Sequence, residues 1–308
     1  MSWTALESSN NLSAVPFDSA TGLVTGPPVA LTDGSNARYG QPSTAPDGRV
    51  ALIGMRPGTT PDVYVLEDGR PLRQLTTHAG VHSAPAWMPG AKELAILARH
   101  RDENGYFALD PATGQERPLF PLSSLTLPAG GERYPAPASL VNAFAPAFDK
   151  LAMTIVRGAV ANLWTTRLED GVLHGPLRQR TFEAEGGSFP SWSDDGRWLA
   201  YQCLAGADTH LCLLDDTNGQ RSELVAVPGQ SWIGGWMPDN DRMLFVARRD
   251  AVWNLGWVSR STKEVRILTH LTLPRTYVRY PRWDGAHHRI VFEWSETIGR
   301  IWTVELPQ

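Results

Sequence analysis

One short pattern recurs along this chain at nearly equal intervals, and a fixed period restricts the fold more than composition does. The copies are Gln41-Pro42-Ser43-Thr44-Ala45-Pro46-Asp47-Gly48, Ala84-Pro85-Ala86-Trp87-Met88-Pro89-Gly90, Ala145-Pro146-Ala147-Phe148-Asp149, Phe189-Pro190-Ser191-Trp192-Ser193-Asp194-Asp195-Gly196, Ile233-Gly234-Gly235-Trp236-Met237-Pro238-Asp239 and Tyr280-Pro281-Arg282-Trp283-Asp284-Gly285. The Pro (or Gly234) positions 42, 85, 146, 190, 234 and 281 are spaced by 43, 61, 44, 44 and 47, a repeat with one insertion.

Each copy is followed by an apolar run, at 50–55, 94–98, 151–156, 198–203, 243–247 and 290–294. A second run follows at 63–66, 106–109, 163–168, 210–214, 253–258 and 301–306, and a third at 72–76, 117–120, 177–181, 223–227 and 265–269. Four strands of about five residues per repeat are expected of a propeller blade. The predicted fold is therefore an all-β β-propeller of four-stranded antiparallel blades, a single domain over 1–308. Six blades are expected, near 35–77, 78–122, 138–182, 186–227, 230–270 and 277–308, the last completed by 26–32, so that an N-terminal strand closes the ring. Residues 1–25 form a surplus hairpin in this reading and leave seven blades open. Pro-Asp-Gly and Asp-Asp-Gly suit tight turns. Trp87, Phe148, Trp192, Trp236 and Trp283 are expected to wedge between blades, each burial contributing about 2–3 kcal/mol.

The 12 Trp, 24 Pro and 28 Gly agree with short strands and many turns, and long helices would tolerate so much Pro poorly. No apolar run reaches the length of a membrane-spanning helix. A net charge of −4 gives no global attraction to nucleic acid. The first residues lack the basic and apolar regions of a signal peptide, so the expected location is cytoplasmic, or periplasmic or extracellular if the chain is a mature or excised domain. Cys203 and Cys212 fall in one predicted hairpin and read as buried free thiols in a reducing compartment, or as a disulfide outside it.

The recurring segment, with the Arg73-Gln74-Leu75-Thr76 strand, resembles the TolB-like β-propeller family over nearly the whole chain. Asn11-Leu12-Ser13-Ala14-Val15-Pro16-Phe17-Asp18, Val265-Arg266-Ile267-Leu268-Thr269 and Arg300-Ile301-Trp302-Thr303-Val304 also look like its strands. The resemblance implies a bacterial protein. It implies no catalytic set, because members serve in envelope complexes, as fused sensor domains and beside peptidase domains.

No Gly-x-Ser-x-Gly elbow, His-Glu-x-x-His, phosphate loop or dinucleotide fingerprint is present. Candidate ligand-binding residues come from loops that gather on the channel face, those entering each innermost strand and those between second and third strands: Arg38, Tyr39, His78, His82, Tyr134, Asn142, Trp232, Arg275, Tyr277 and Arg279. If the chain is an enzyme, His82, Tyr134, Glu183 and Tyr277 are the candidate proton-transfer groups. His78 and His82 invite a metal reading with Glu183, Glu185 or His210, but ordinary histidines are expected there, with no metal and no cofactor. Trp232, Trp253 and Trp257 exceed what the repeat needs and read as dense packing or a stacking platform. The long interval from Leu122 to Ala143 reads as a lid with Tyr134 at its tip.

The expected function is a non-catalytic binding propeller that recognises a protein, peptide or small polar ligand on its channel face. It is expected to be a monomer with no nucleic-acid partner. An enzyme (hydrolase, lyase or isomerase) with its pocket at the central channel is the alternative, and a carbohydrate-binding module the second.

Overall fold

Hairpin closure is the local event that sets the register of every repeat. The computed structural model describes residues 2–34, 37–77, 79–100, 104–127, 143–225, 229–274 and 276–303, without the side chains of 2–8 and 297–303. In the first repeat Ala45 N donates to Arg49 O at 2.8 Å and Gly48 N to Ala45 O at 3.0 Å. Gly48 supplies the positive φ that this turn needs, at 87°. An equivalent pair of bonds, the outer one reaching one residue further along the chain, closes the turns that begin at Met88, Ala145, Ser193 and Met237. Their left-handed residues are Ala91, Phe148, Gly196 and Asn240.

That alignment corrects the third repeat. Phe148 is its left-handed turn residue, with φ of 58°, and not the wedge aromatic. Phe144 stands where the tryptophans of the other repeats stand, and Phe148 stacks on it at 4.4 Å. Pro146 therefore matches Pro46 and Pro89 of the turns, not the strand prolines 42 and 85.

Antiparallel pairing sorts the described strands into four-stranded groups. The first contains Arg38–Thr44, Val50–Met55, Asp62–Leu66 and Arg73–Gln74. The second contains Val81–Trp87, Leu94–Arg99, Asn104–Leu109 and Glu116–Pro121. Ala143–Phe144, Lys150–Arg157, Val160–Glu169 and Val172–Gln179 follow. Next come Gly187–Trp192, Trp198–Ala205, Asp208–Asp215 and Arg221–Val225, then Gln230–Trp236, Arg242–Arg249, Val252–Ser259 and Val265–Ile267. Thr276–Asp284, Arg289–Thr303, Ser2–Asp18 and Val29–Ala30 make the group that joins the two ends of the chain. No α-helix occurs among the described residues, and none could cross a membrane. The protein is an all-β propeller.

The first strand of each group lines the axis, and in four of them a proline explains its shape, with Gly234-Gly235 in its place in Gln230–Trp236. Proline has no N–H for the ladder, so pairing must open where it stands. The register shifts between Gly40 and Ser43, Ser83 and Ala86, Ser188 and Ser191, Ile233 and Trp236, and Arg279 and Arg282. The residues before the prolines, Gln41, Ala84, Phe189 and Tyr280, take positive φ at these bulges. Beyond the bulge, the wedge residue reaches the preceding inner strand. Trp87 Nε1 donates to Ser43 O at 3.1 Å, Trp192 Nε1 to Ala143 O at 3.2 Å and Trp236 Nε1 to Ser191 O at 3.0 Å. Thr44 occupies the wedge position of the first group, and its hydroxyl donates to Trp283 O at 2.8 Å, linking the last inner strand to the first.

The chain ends differ from expectation. The segments 290–294 and 301–306 were expected as two strands, but Arg289–Thr303 runs as one. Its partner is Ser2–Asp18, in register from Ser2↔Thr303 to Pro16↔Arg289. The N-terminal segment is thus the third strand of the joining group and not a surplus hairpin. Leu12, Val15 and Phe17 explain the preference, because all three are buried in the core that this pairing covers.

Cys203 and Cys212 form a disulfide between neighbouring strands, with Cα atoms 5.9 Å apart, in place of two free thiols. Their separation of 9 residues makes the closed loop short. Replacing both by Ala is expected to lower unfolding free energy by about 2–3 kcal/mol, read from urea midpoints. A free-thiol assay on unfolded, unreduced protein should find none.

Candidate functional site

The inner strands leave a cavity of about 770 Å³ on the axis. Its wall comes from the bulges and the residues after them, including Gln41, Ser43, Ala86, Ser191, Tyr280 and Arg282. Its mouth lies among the turns, at Pro46, Pro89, Asp194, Pro238 and Gly285. The cavity therefore opens towards the turn side, and none of the described candidate rim residues lines it.

Arg282 gives the cavity its charge. Its side chain is half-buried and its Nη1 donates only to its neighbour's carbonyl, Pro281 O, at 3.2 Å. No carboxylate pairs with it among the described residues. Burial pulls the guanidinium down to about 10, with Tyr280 opposing that fall, so it remains a cation at neutral pH. Gly235 makes room for it: a Cβ there would sit 3.0 Å from Arg282 Cδ. Tyr280 on the same wall is held neutral by its burial. At the mouth, Asp194 is raised by the loss of water around it and by the charges of Asp195 and Asp239. An unpaired planar cation facing apolar and hydroxyl surface can take a carboxylate or phosphate through two parallel hydrogen bonds.

The rim candidates are dispersed. His78, Tyr134, Asn142 and Arg275 lie outside the described residues, as does 128–142, the greater part of the expected lid. Arg38 is exposed, whereas Tyr39 is buried with its ring 5.9 Å from Tyr64. Arg279 pairs with the buried Glu293, whose carboxylate occupies space that a side chain at Gly40 would need. Glu183 accepts from the Tyr201 hydroxyl and pairs with Arg221. Burial and that carboxylate raise the Tyr201 phenol. Glu185 accepts from Gly206 N and His210 pairs with Glu223. His82, Glu183 and Tyr277 are thus each placed with different partners.

Trp253 and Trp257 belong to the core, and Trp257 Nε1 donates to Gly22 O at 2.9 Å. Trp232 is half-buried against Trp253 at 4.2 Å, and Tyr277, 41% exposed, lies 6.3 Å from Trp253. The three tryptophans make no continuous exposed face.

His82 is the one rim candidate with unusual surroundings. Its side chain is 0% exposed, with Asp62 Oδ1 3.3 Å from Nδ1 and Glu116 Oε1 3.3 Å from Nε2. His100 Nε2 lies 2.8 Å from the other Glu116 oxygen. Burial alone would lower His82, but the nearness and charge of the Glu116 carboxylate and the charge of Asp62 outweigh it and raise the imidazole. Burial would raise Glu116, yet His82 and His100 bring it below the usual carboxylate range. Strand register could have flagged His100: His82 lies opposite Ala98, two residues short of it on the same face.

Similarity to known proteins points to the fold alone. No family model and no curated protein matches the sequence. A putative TolB from Agrobacterium tumefaciens superposes with a TM-score of 0.66 at 15% identity, over 97% of this chain and 100% of that one. The chain has a TolB-like β-propeller fold. A chain of a nidogen/laminin complex matches with a TM-score of 0.58 at 10% identity, over 87% of this chain and 93% of that one. An oligogalacturonate lyase from Vibrio parahaemolyticus matches with 0.53 at 13% identity, over 95% and 98%. Chains similar in fold to this one thus come from both a named complex and a named enzyme, so the site must carry the functional argument.

Proposed function

We propose that this TolB-like propeller is a non-catalytic binding protein that receives a carboxylate-bearing peptide segment in its axial cavity. Arg282 carries the reading, as a cation on the cavity wall with no carboxylate partner among the described residues. The cavity admits a side chain or an extended segment, and Trp87, Trp192 and Trp236 contribute apolar surface around it. The disulfide between Cys203 and Cys212 supports action in an oxidising compartment. The short outer strands, such as Arg73–Gln74 and Val29–Ala30, offer little edge for self-association and favour a monomer.

The cavity tryptophans provide the readout. Intrinsic fluorescence should respond to acidic peptides and not to neutral or basic peptides of equal length. Arg282→Gln should weaken that binding at least tenfold, about 1.4 kcal/mol, as expected for loss of a charge-assisted pair. Equal affinity for the three peptide classes, or unchanged affinity in the variant, would contradict the proposal. So would turnover of glycosides, esters or lactones by the purified protein.

A further inference from the structure

We propose that His82 Nε2, His100 Nε2 and a carboxylate oxygen of Glu116 form a site for a divalent transition cation of the zinc class, between the first and second four-stranded groups. This site is separate from the axial cavity and does not depend on its reading.

The three ligand atoms already lie within 4.8 Å of one another. Zinc bonds to imidazole nitrogen and carboxylate oxygen are about 2.0–2.2 Å long, so shifts of an ångström or less bring all three atoms into a shared shell. Two imidazoles and one carboxylate are a donor set suited to borderline metals and poorly suited to calcium or magnesium.

The His100–Glu116 contact is a 2.8 Å hydrogen bond that a metal would replace, whereas the His82–Glu116 contact is close without being one. His82 Nε2 and Glu116 Oε1 are both buried and are 3.3 Å apart, yet neither makes a hydrogen bond. An imidazolium built to pair with that carboxylate would aim its N–H at the oxygen, since an unmade buried bond costs about 1–3 kcal/mol. Two polar atoms that lie close without facing each other are arranged to converge on a third.

The surroundings also fit. Asp62 stands 3.3 Å from His82 Nδ1 and is itself fixed by Thr76 Oγ1 at 2.9 Å and Gln74 Nε2 at 3.0 Å. Nδ1 makes no hydrogen bond as it stands, but a small rotation of the ring that let it donate to Asp62 would orient His82 for a metal and make Nε2 more basic. The Phe107 ring lies 4.8 Å from the His100 ring, and Gly80 leaves room beside His100 Nδ1, where a Cβ would come within 3.1 Å. His100 is 25% exposed, which provides a path for the ion and a position for water. The other described histidines near carboxylates, His174, His210 and His287, belong to no such group of three converging ligand residues among the described residues.

The test uses the full-length protein after dialysis against chelator. Zn²⁺ is titrated calorimetrically with stoichiometry checked by elemental analysis, and Co²⁺ provides a visible spectrum that reports inner-sphere nitrogen ligands. One ion per chain with micromolar or tighter affinity is expected. His100→Ala and Glu116→Gln should each weaken it at least a hundredfold and alter the Co²⁺ bands. Asp62→Asn should weaken it tenfold to a hundredfold. Circular dichroism selects variants that remain folded, and Glu116→Gln preserves shape if His100→Ala does not fold. No stoichiometric binding below about 100 μM, or wild-type affinity and spectrum in both ligand variants, would overturn the proposal and leave the cluster as a charge network (a Kd that weak corresponds to only about 5.5 kcal/mol).

Discussion

Deleting residues 2–18 is expected to abolish cooperative unfolding, while deleting only 2–8 leaves it nearly intact. The longer deletion removes the third strand of the joining group, including Leu12, Val15 and Phe17 from two core clusters. Each large apolar side chain contributes about 1.5–3 kcal/mol on burial. Their loss approaches the whole stability of an ordinary domain, about 5–15 kcal/mol. It also leaves Val29–Ala30 without its partner and exposes the edge of Arg289–Thr303. A thermal scan by circular dichroism with dye binding distinguishes the outcomes. A sharp transition in the longer deletion would mean that the pairing of the chain ends does not hold the propeller together.

The second large effect concerns the wedge. Trp236 is buried, packs in the core between the fourth and fifth groups and donates to Ser191 O at 3.0 Å. Trp236→Ala should lower unfolding free energy by about 3–5 kcal/mol, because cavity and transfer costs add. Trp236→Phe keeps most of the apolar surface and loses mainly the hydrogen bond, a difference of about 1 kcal/mol. Denaturant midpoints at unchanged slope measure both. Equal losses in the two variants would locate the wedge's contribution in the bond and not in burial.

The repeat was legible because its physical cause is local. A proline that breaks the ladder (Gly234 in the fifth repeat), an aromatic two residues later and a turn with one left-handed position recur within eight residues. Trp87, Trp192, Trp236 and Trp283 could be aligned from those features alone. Phe148 was misplaced because Pro146 of the turn imitates a strand proline, and a phenylalanine at φ of 58° is contrary to side-chain preference. The long C-terminal strand was read as two because its polar middle, from Ser295 to Arg300, looks like a loop. Pairing with Ser2–Asp18 satisfies that stretch of backbone, and this partner lies almost 300 residues away in sequence.

The candidate sites were less legible, for a related reason. Sequence can say which residues enter a rim loop, but not which side of a ring widens into a cavity. The bulges set that, and they bring Arg282 and Tyr280 onto the wall. Arg282 stood inside the repeat pattern itself, where its neighbour Trp283 drew the structural reading. His82 was recognised as a histidine of interest, but its companions were sought in distant loops. Glu116, from an outer strand, meets His82 from an inner one, a contact that strand spacing alone does not announce.

The most direct test of the axial cavity is a crystal structure of the protein soaked with a short acidic peptide carrying a heavy-atom label. The expected result is one labelled peptide in the cavity between the turns, with a carboxylate within hydrogen-bonding distance of the Arg282 guanidinium. A peptide bound instead on the opposite rim, beside Arg38 and Tyr277, or an empty cavity at saturating concentration, would contradict it.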